Sequence, residues 1–212
     1  MLNGERVYLS SEIPIDARGW RNERCVWEWC RQNTLISEAA HQRWLERIET
    51  DPTIKMFGIH NEILEHIGVC GLTSIDRVNQ TAEFSLYIAP HEWKKGYGKD
   101  ALKTLITHGF NDLNLNRIWG ETYDGNPALK MFLSLGMKHE GTSRQAYFRN
   151  GRFIDCHRVA VLRSEWNETG NLVADSGYGC GASHSLGNAQ DQGVSRSGQQ
   201  TGQYGFAASA TV

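Results

Sequence analysis

"EFSLYIAPHEWKKGYGKDALKTLITHGF", residues 83–110, decides how the chain is read. Its first residues form an apolar run that fits a buried strand, and from Tyr97 onward the apolar spacing is that of a helix. Between the two stand Gly96 and Gly98, one residue apart, among Lys94, Lys95 and Lys99. Glycine lets backbone N–H groups approach a ligand, and a helix N-terminus adds unpaired donors and the positive end of the dipole. The stretch therefore reads as a cradle for an anion. Two familiar versions of such a loop fail on its surroundings. Gly96-Tyr97-Gly98-Lys99-Asp100-Ala101 satisfies G-x-G-x-x-A, with Glu121 about twenty residues on, but a dinucleotide fold needs successive βαβ units around it. A nucleotide P-loop needs a glycine where Trp93 stands and a hydroxyl where Asp100 stands.

Working outward, the N-terminal side offers "ERVYL" as a short strand, then "WRNERCVWEWCRQ" and "EAAHQRWLERIE" as helices, with Val26, Trp27, Cys30 and Trp44, Leu45, Ile48 at helical spacing. Ser37 is the expected N-cap of the second helix, its hydroxyl accepting from an orphan donor of the first turn. "IKMFGIH" and "IGVCGLTSID" read as strands around a turn in "NEILEH", and "AEFSLYI" adds a third to an antiparallel meander. Beyond the glycine loop a helix is expected from about Tyr97 to Asn111, then a strand in "NRIWGETY". A second helix, "NPALKMFLSL", is entered through Asn126 and Pro127 and stopped at Gly136. In "RQAYFRNGRFIDCHRVAVL" the pair Asn150-Gly151 separates two alternating runs, the signature of a hairpin. The order predicts an α+β fold with a sheet of mixed, mostly antiparallel direction.

Composition bounds the rest. A chain of 212 residues supports one core, and a net charge of −2 argues against a protein built to grip a nucleic-acid backbone. No apolar run approaches the ~20 residues of a membrane span, and "MLNGERVYLSSEIP" lacks the basic and apolar regions of a signal peptide. A cytoplasmic location is expected, with no membrane partner. Cys25, Cys30, Cys70, Cys156 and Cys180 form no C-x-x-C pair, so neither a zinc framework nor a disulfide framework is expected. After Trp166 the composition shifts to a stretch with about nine glycines, many Ser and Gln and no period. The expected organisation is a folded domain over 1–166 and a flexible low-complexity tail over 167–212.

The sequence of strand, x-x-x-G-x-G loop, long helix, strand, helix closed by "LGM" and hairpin resembles the GNAT superfamily of N-acetyltransferases. The branch it resembles contains ribosomal-protein, spermidine and nucleotide-amino-sugar acetyltransferases. The matching residues are Trp20-Arg21-Asn22, Ile36-Ser37 with His41 and Trp44, the loop Trp93 to Gly98, Phe148-Arg149-Asn150-Gly151 with Asp155, and Glu165-Trp166. The resemblance implies the GNAT fold, with a V-shaped split between the fourth and fifth strands, and acetyl-CoA as acyl donor. It implies no metal. Trp93, Lys94, Lys95, Gly96, Tyr97, Gly98 and Lys99 would then take the pyrophosphate, although Trp93 stands where relatives carry Gln or Arg. A backbone N–H near Leu86, Tyr87 or Ile88 would polarise the thioester carbonyl.

On strand parity Glu83, Ser85 and Tyr87 share the face expected to line the cleft, opposite Phe84, Leu86 and Ile88. An amine must be neutral to attack a thioester, so Glu83 is the candidate catalytic base. Phe132 stands where many relatives place the tyrosine that reprotonates the leaving thiolate, which leaves that task to water or to another group such as the nearby Ser134, or lets the thiolate leave unassisted. Asn126 sits one residue past the asparagine that in relatives contacts the pantetheine arm. The function implied is transfer of an acetyl group to a primary amine of a protein N-terminus or small molecule, by a chain that could form a homodimer. The alternative is a non-catalytic acyl-CoA-binding or adaptor module.

Overall fold

The computed structural model describes residues 1–32 and 34–166. The Gly-, Ser- and Gln-rich stretch and Cys180 lie outside the described residues. The elements run β1 (Leu2–Asn3), β2 (Tyr8–Ser10), α1 (Ala17–Asn22), α2 (Arg24–Trp27), α3 (Glu38–Thr50), β3 (Lys55–His60), β4 (His66–Asp76) and β5 (Thr81–Ile88). They continue with α4 (Tyr97–Asn111), β6 (Arg117–Tyr123), α5 (Ala128–Ser134), β7 (Lys138–Arg149) and β8 (Arg152–Leu162). All eight strands form one sheet in the order β1-β2-β3-β4-β5-β6-β8-β7. Every neighbouring pair is antiparallel except β5 and β6. This is the mixed, mostly antiparallel α+β sheet expected from the sequence.

β5 lies at the centre because both of its faces are apolar or covered, all but its first residue being buried. Phe84, Leu86 and Ile88 point to one side, into the main core with Leu102, Leu105, Ile106 and Phe110. Those four recur at i, i+3, i+4 and i+8, the single stripe by which α4 lies across the sheet. Tyr87 points to the other side and joins Val26, Trp44, Met56 and Val69 under α2 and α3. Helices thus cover both faces of the sheet.

The Ser37 cap holds as expected, its hydroxyl accepting from the Ala40 N–H at 3.2 Å. Helix α4 has the expected bounds, and Asn150 and Gly151 close the β7–β8 turn with φ of 49° and 79°, the pair of left-handed residues that a two-residue hairpin requires. Two expectations need correction. "WRNERCVWEWCRQ" is not one helix, because Glu23 is extended, with ψ of 136°, and parts α1 from α2. The Asn22 side chain binds the Ile36 backbone in both directions, at 2.7 and 2.9 Å, and so pins the end of α1 to the segment before α3. Nor is "ERVYL" one strand. Gly4 to Val7 turn between β1 and β2, and the buried Asp100 carboxylate accepts from the N–H groups of Glu5, Arg6 and Val7 at 3.2, 2.7 and 3.0 Å.

The core closes on Trp166, buried against Phe110, with its Nε1–H donated to Thr107 Oγ1 at 3.1 Å. Among the described residues no helix is long and apolar enough to cross a membrane, and no group of three or more His, Cys, Asp or Glu is placed to hold a metal ion.

Candidate active site

The one parallel contact is short. Thr81, Ala82 and Glu83 pair with Arg117, Ile118 and Trp119, and beyond Glu83 no residue of β5 pairs with β6 among the described residues. The two strands part there, between the fourth and fifth strands of the sequence reading. Ala89 N–H bonds the Ile67 carbonyl, which fixes the alternation of the β4–β5 ladder: Ser85 and Tyr87 spend their backbone groups on β4. The N–H and C=O groups of Leu86 and Ile88 therefore point into the split. Of the three amides named from sequence, the Tyr87 N–H belongs to the sheet and the other two face the gap.

Trp93 lies at the end of this gap, where its indole Nε1–H donates to the Ile88 carbonyl at 2.7 Å. A Gln or Arg in its place would be a polar arm; the indole instead caps one of the two carbonyls in the split. The loop that follows is built from left-handed backbone, Lys94 at φ 63° and Gly96 at φ 89°, with Lys95 between them. Gly96 is the N-cap of α4, and the first intrahelical bond is from Asp100 N–H to Gly96 O, so the N–H groups of Tyr97, Gly98 and Lys99 have no partner within the helix. Successive amides of this kind form an anion-binding concavity. The Asp100 carboxylate is turned away from the loop to the β1–β2 turn. The Lys95 ammonium is drawn to Glu92 at 3.0 Å, while Lys94 and Lys99 are exposed.

Glu83 stands at the last paired position before the strands part, only 3% exposed. It forms an ion pair with Arg31, which also lies 4.0 Å from Glu121 on β6. Glu121 in turn accepts from Arg158 at 2.6 Å and from the Tyr147 hydroxyl at 3.2 Å. Burial raises the Glu83 carboxyl above its ordinary value, with Arg31 pulling against it and Glu121 reinforcing it. Burial and then Glu121 push the Tyr147 phenol up to about 12. This polar cluster was not read from sequence, apart from Glu83. The alternation Trp119, Glu121, Tyr123 in "RIWGETY" places Glu121 on one face, but its partners come from the segment after α2 and from the far hairpin, and no local pattern joins them.

Four other residues singled out in the sequence have these surroundings. Phe132 has no exposed surface and packs edge-on against Phe84, ring centroids 5.0 Å apart. The Phe84 ring also lies over Gly120, where any Cβ would collide with it, so these aromatic groups floor the split from the α5 side. Asn126 is buried and its Oδ1 accepts from the Ala128 N–H at 2.9 Å, capping the start of α5. Ser134 is exposed and donates to the Met131 carbonyl of its own helix at 2.8 Å. His41 stacks on Trp44, centroids 5.4 Å apart, and burial lowers its pKa.

A sheet that parts at its one parallel contact, over a helix-borne anion cradle, defines the class. The acetyltransferase (GNAT) domain family matches residues 12–138, and the chain belongs to it. The N-acetyltransferase p20 of Bacillus licheniformis is 37% identical over 109 residues, which are 51% of this chain and 61% of that protein. The spermidine N(1)-acetyltransferase of Vibrio cholerae is 31% identical over 101 residues, 47% of this chain and 58% of that one. The chain thus spans about three fifths of these curated relatives' length. Among solved structures, the spermidine N-acetyltransferase from Vibrio cholerae in complex with CoA and spermine has the same fold. Its TM-score is 0.68 at 24% identity, over 74% of this chain and 96% of that one.

Proposed function

We propose that the protein transfers an acetyl group from acetyl-CoA to a primary amine of a protein N-terminus or small molecule. The observation that carries this reading is the split beside the cradle: open backbone groups at Leu86 and Ile88 run toward the α4 N-terminus, and a carboxylate stands where the strands part. Lys94, Lys99 and the free amides of Tyr97 to Lys99 take the pyrophosphate. The pantetheine arm lies along β5, and the Leu86 or Ile88 N–H donates to the thioester oxygen as negative charge builds there.

Glu83 accepts the proton of the acceptor ammonium, directly or through one water. The nitrogen then attacks the carbonyl carbon, a C–N bond forms, the C–S bond breaks and the thiolate leaves. Forming the amide releases a second proton from nitrogen, and water carries it to the sulphur, because Phe132 has no proton to give and the Ser134 hydroxyl is bonded to the Met131 carbonyl. Support from the comparisons is the membership of the family and relatives named N-acetyltransferases, one of them solved with CoA and spermine.

The test is thiol release from acetyl-CoA over a panel of amines: an α-amino peptide, an amino sugar nucleotide, spermidine and an aminoglycoside. Amine-dependent release is the expected result. Binding of acetyl-CoA by calorimetry with no release on any amine would favour the non-catalytic acyl-CoA-binding module.

A further inference from the structure

The cradle is held from outside by a residue some ninety positions away in sequence. Arg6, in the β1–β2 turn, donates through Nη1 to the Lys95 carbonyl and through Nε to Glu62 Oε1 at 3.0 Å. Its guanidinium carbon lies 4.8 Å above the centroid of the Tyr97 ring, and the Tyr97 hydroxyl donates to the other oxygen of Glu62 at 2.8 Å. Arg6, Glu62 and Tyr97 thus close a ring of contacts around the loop, drawn from the first turn, the β3–β4 turn and the first residue of α4. The Asp100 carboxylate fixes the backbone of the same turn, by the Arg6 N–H among others.

Two consequences follow for an anion at the loop. In a trans peptide the carbonyl and the next N–H point in opposite directions, and the described chain has no cis bond. By drawing the Lys95 carbonyl toward itself, Arg6 turns the Gly96 N–H to the opposite side. Its own charge also stays available. The side chain is 48% exposed, and its Nη2 has no partner among the described residues. A Cβ at Gly96 would come 3.4 Å from Arg6 Nη1, so the guanidinium borders the cradle directly. Lys95, by contrast, is occupied by Glu92.

We propose that Arg6 is a positioning residue of the donor site: its charge-assisted bond to the Lys95 carbonyl aims the Gly96 amide at a phosphate of the acyl donor, and its charge adds to the positive potential of the loop. The proposal rests on the reading of loop 94–99 as an acyl-CoA cradle. A charge-assisted hydrogen bond of this kind contributes about 1.5–3 kcal/mol, or roughly a tenfold to hundredfold change in affinity.

The experiment compares acetyl-CoA with acetyl-pantetheine, which carries the same thioester and arm without any phosphate, in the wild type and in Arg6→Ala. KM for acetyl-CoA is expected to rise about tenfold or more with kcat nearly unchanged, whereas kcat/KM for acetyl-pantetheine stays within about twofold. Arg6→Lys, which retains charge but not the fork that reaches the Lys95 carbonyl and Glu62 together, is expected to keep most of the defect. Equal losses on both donors would mean that Arg6 only supports the fold, and an unchanged KM for acetyl-CoA would mean that it does not set the phosphate-binding amide; either overturns the proposal. A wild-type protein that takes acetyl from neither donor would instead overturn the acyl-CoA reading itself.

Discussion

At Glu83 two requirements meet in one side chain. A base must lose its proton near neutral pH, and burial holds that proton on; Arg31 offsets part of the burial. A carboxyl raised in the folded state has its stabilising effect below the ordinary carboxylate pKa and loses it as pH climbs through the raised value. The native protein binds more protons than the unfolded chain in that window, so the group's contribution to stability falls with rising pH there. Activity moves the other way, because only the ionised form accepts a proton. Glu83→Gln is expected to lower kcat about 10²-fold at neutral pH with little change in acetyl-CoA affinity, and to regain rate at alkaline pH as the acceptor amine becomes neutral unaided. Steady-state rates from pH 6 to 9 check this, and a mutant near wild type throughout would remove Glu83 from the mechanism. Glu83 was legible because strand parity places it. The structural task of Asp100 was not legible, because its sequence neighbours are the loop while its partners are the Glu5–Val7 amides. Arg6 and Glu62 were invisible for the same reason: nothing local marks a contact that the tertiary fold makes.

Among the elements, those whose signals are local were read correctly. The β7–β8 turn follows from two adjacent left-handed residues, and α4 from a glycine entry followed by an apolar stripe. The α1–α2 break was missed because helical spacing in "WRNERCVWEWCRQ" continues across Glu23, and only the Asn22–Ile36 clamp interrupts it. The start of α4 is where element and function coincide. Gly96 has φ of 89°, a conformation that costs an alanine about 1–2 kcal/mol. Gly96→Ala is expected to lower the melting temperature by several degrees and to raise KM for acetyl-CoA, since relaxing that φ turns the amide away from the cradle. Calorimetric melts and donor titrations read the two effects separately. A variant with wild-type affinity and wild-type melting would show that the left-handed turn carries neither load.

In the whole molecule Trp166 marks where the described core ends, buried against Phe110 and bonded to Thr107. A chain cut after residue 166 is expected to fold and bind acetyl-CoA, whereas one cut after Leu162 loses a buried tryptophan, a loss of about 3–5 kcal/mol, and melts far lower. Thermal melts of the two truncations decide whether the domain boundary read from composition is right. Among the described residues the sheet is two ladders whose strands pair across the seam at Thr81, Ala82 and Glu83, with the Gln80 carbonyl bonded to Asn116 and Arg117 beside them. On the proposed function, an acyl donor lying along β5 beyond that seam would do the work of an absent ninth strand, its carbonyl oxygens accepting from the N–H groups of Leu86 and Ile88. Deuterium should therefore enter those two amides sooner than the flanking Ser85 and Tyr87 amides in the free protein, though all four lie in one strand. Adding acetyl-CoA should slow them to the pace of their neighbours, so that the ligand registers in the exchange pattern as secondary structure.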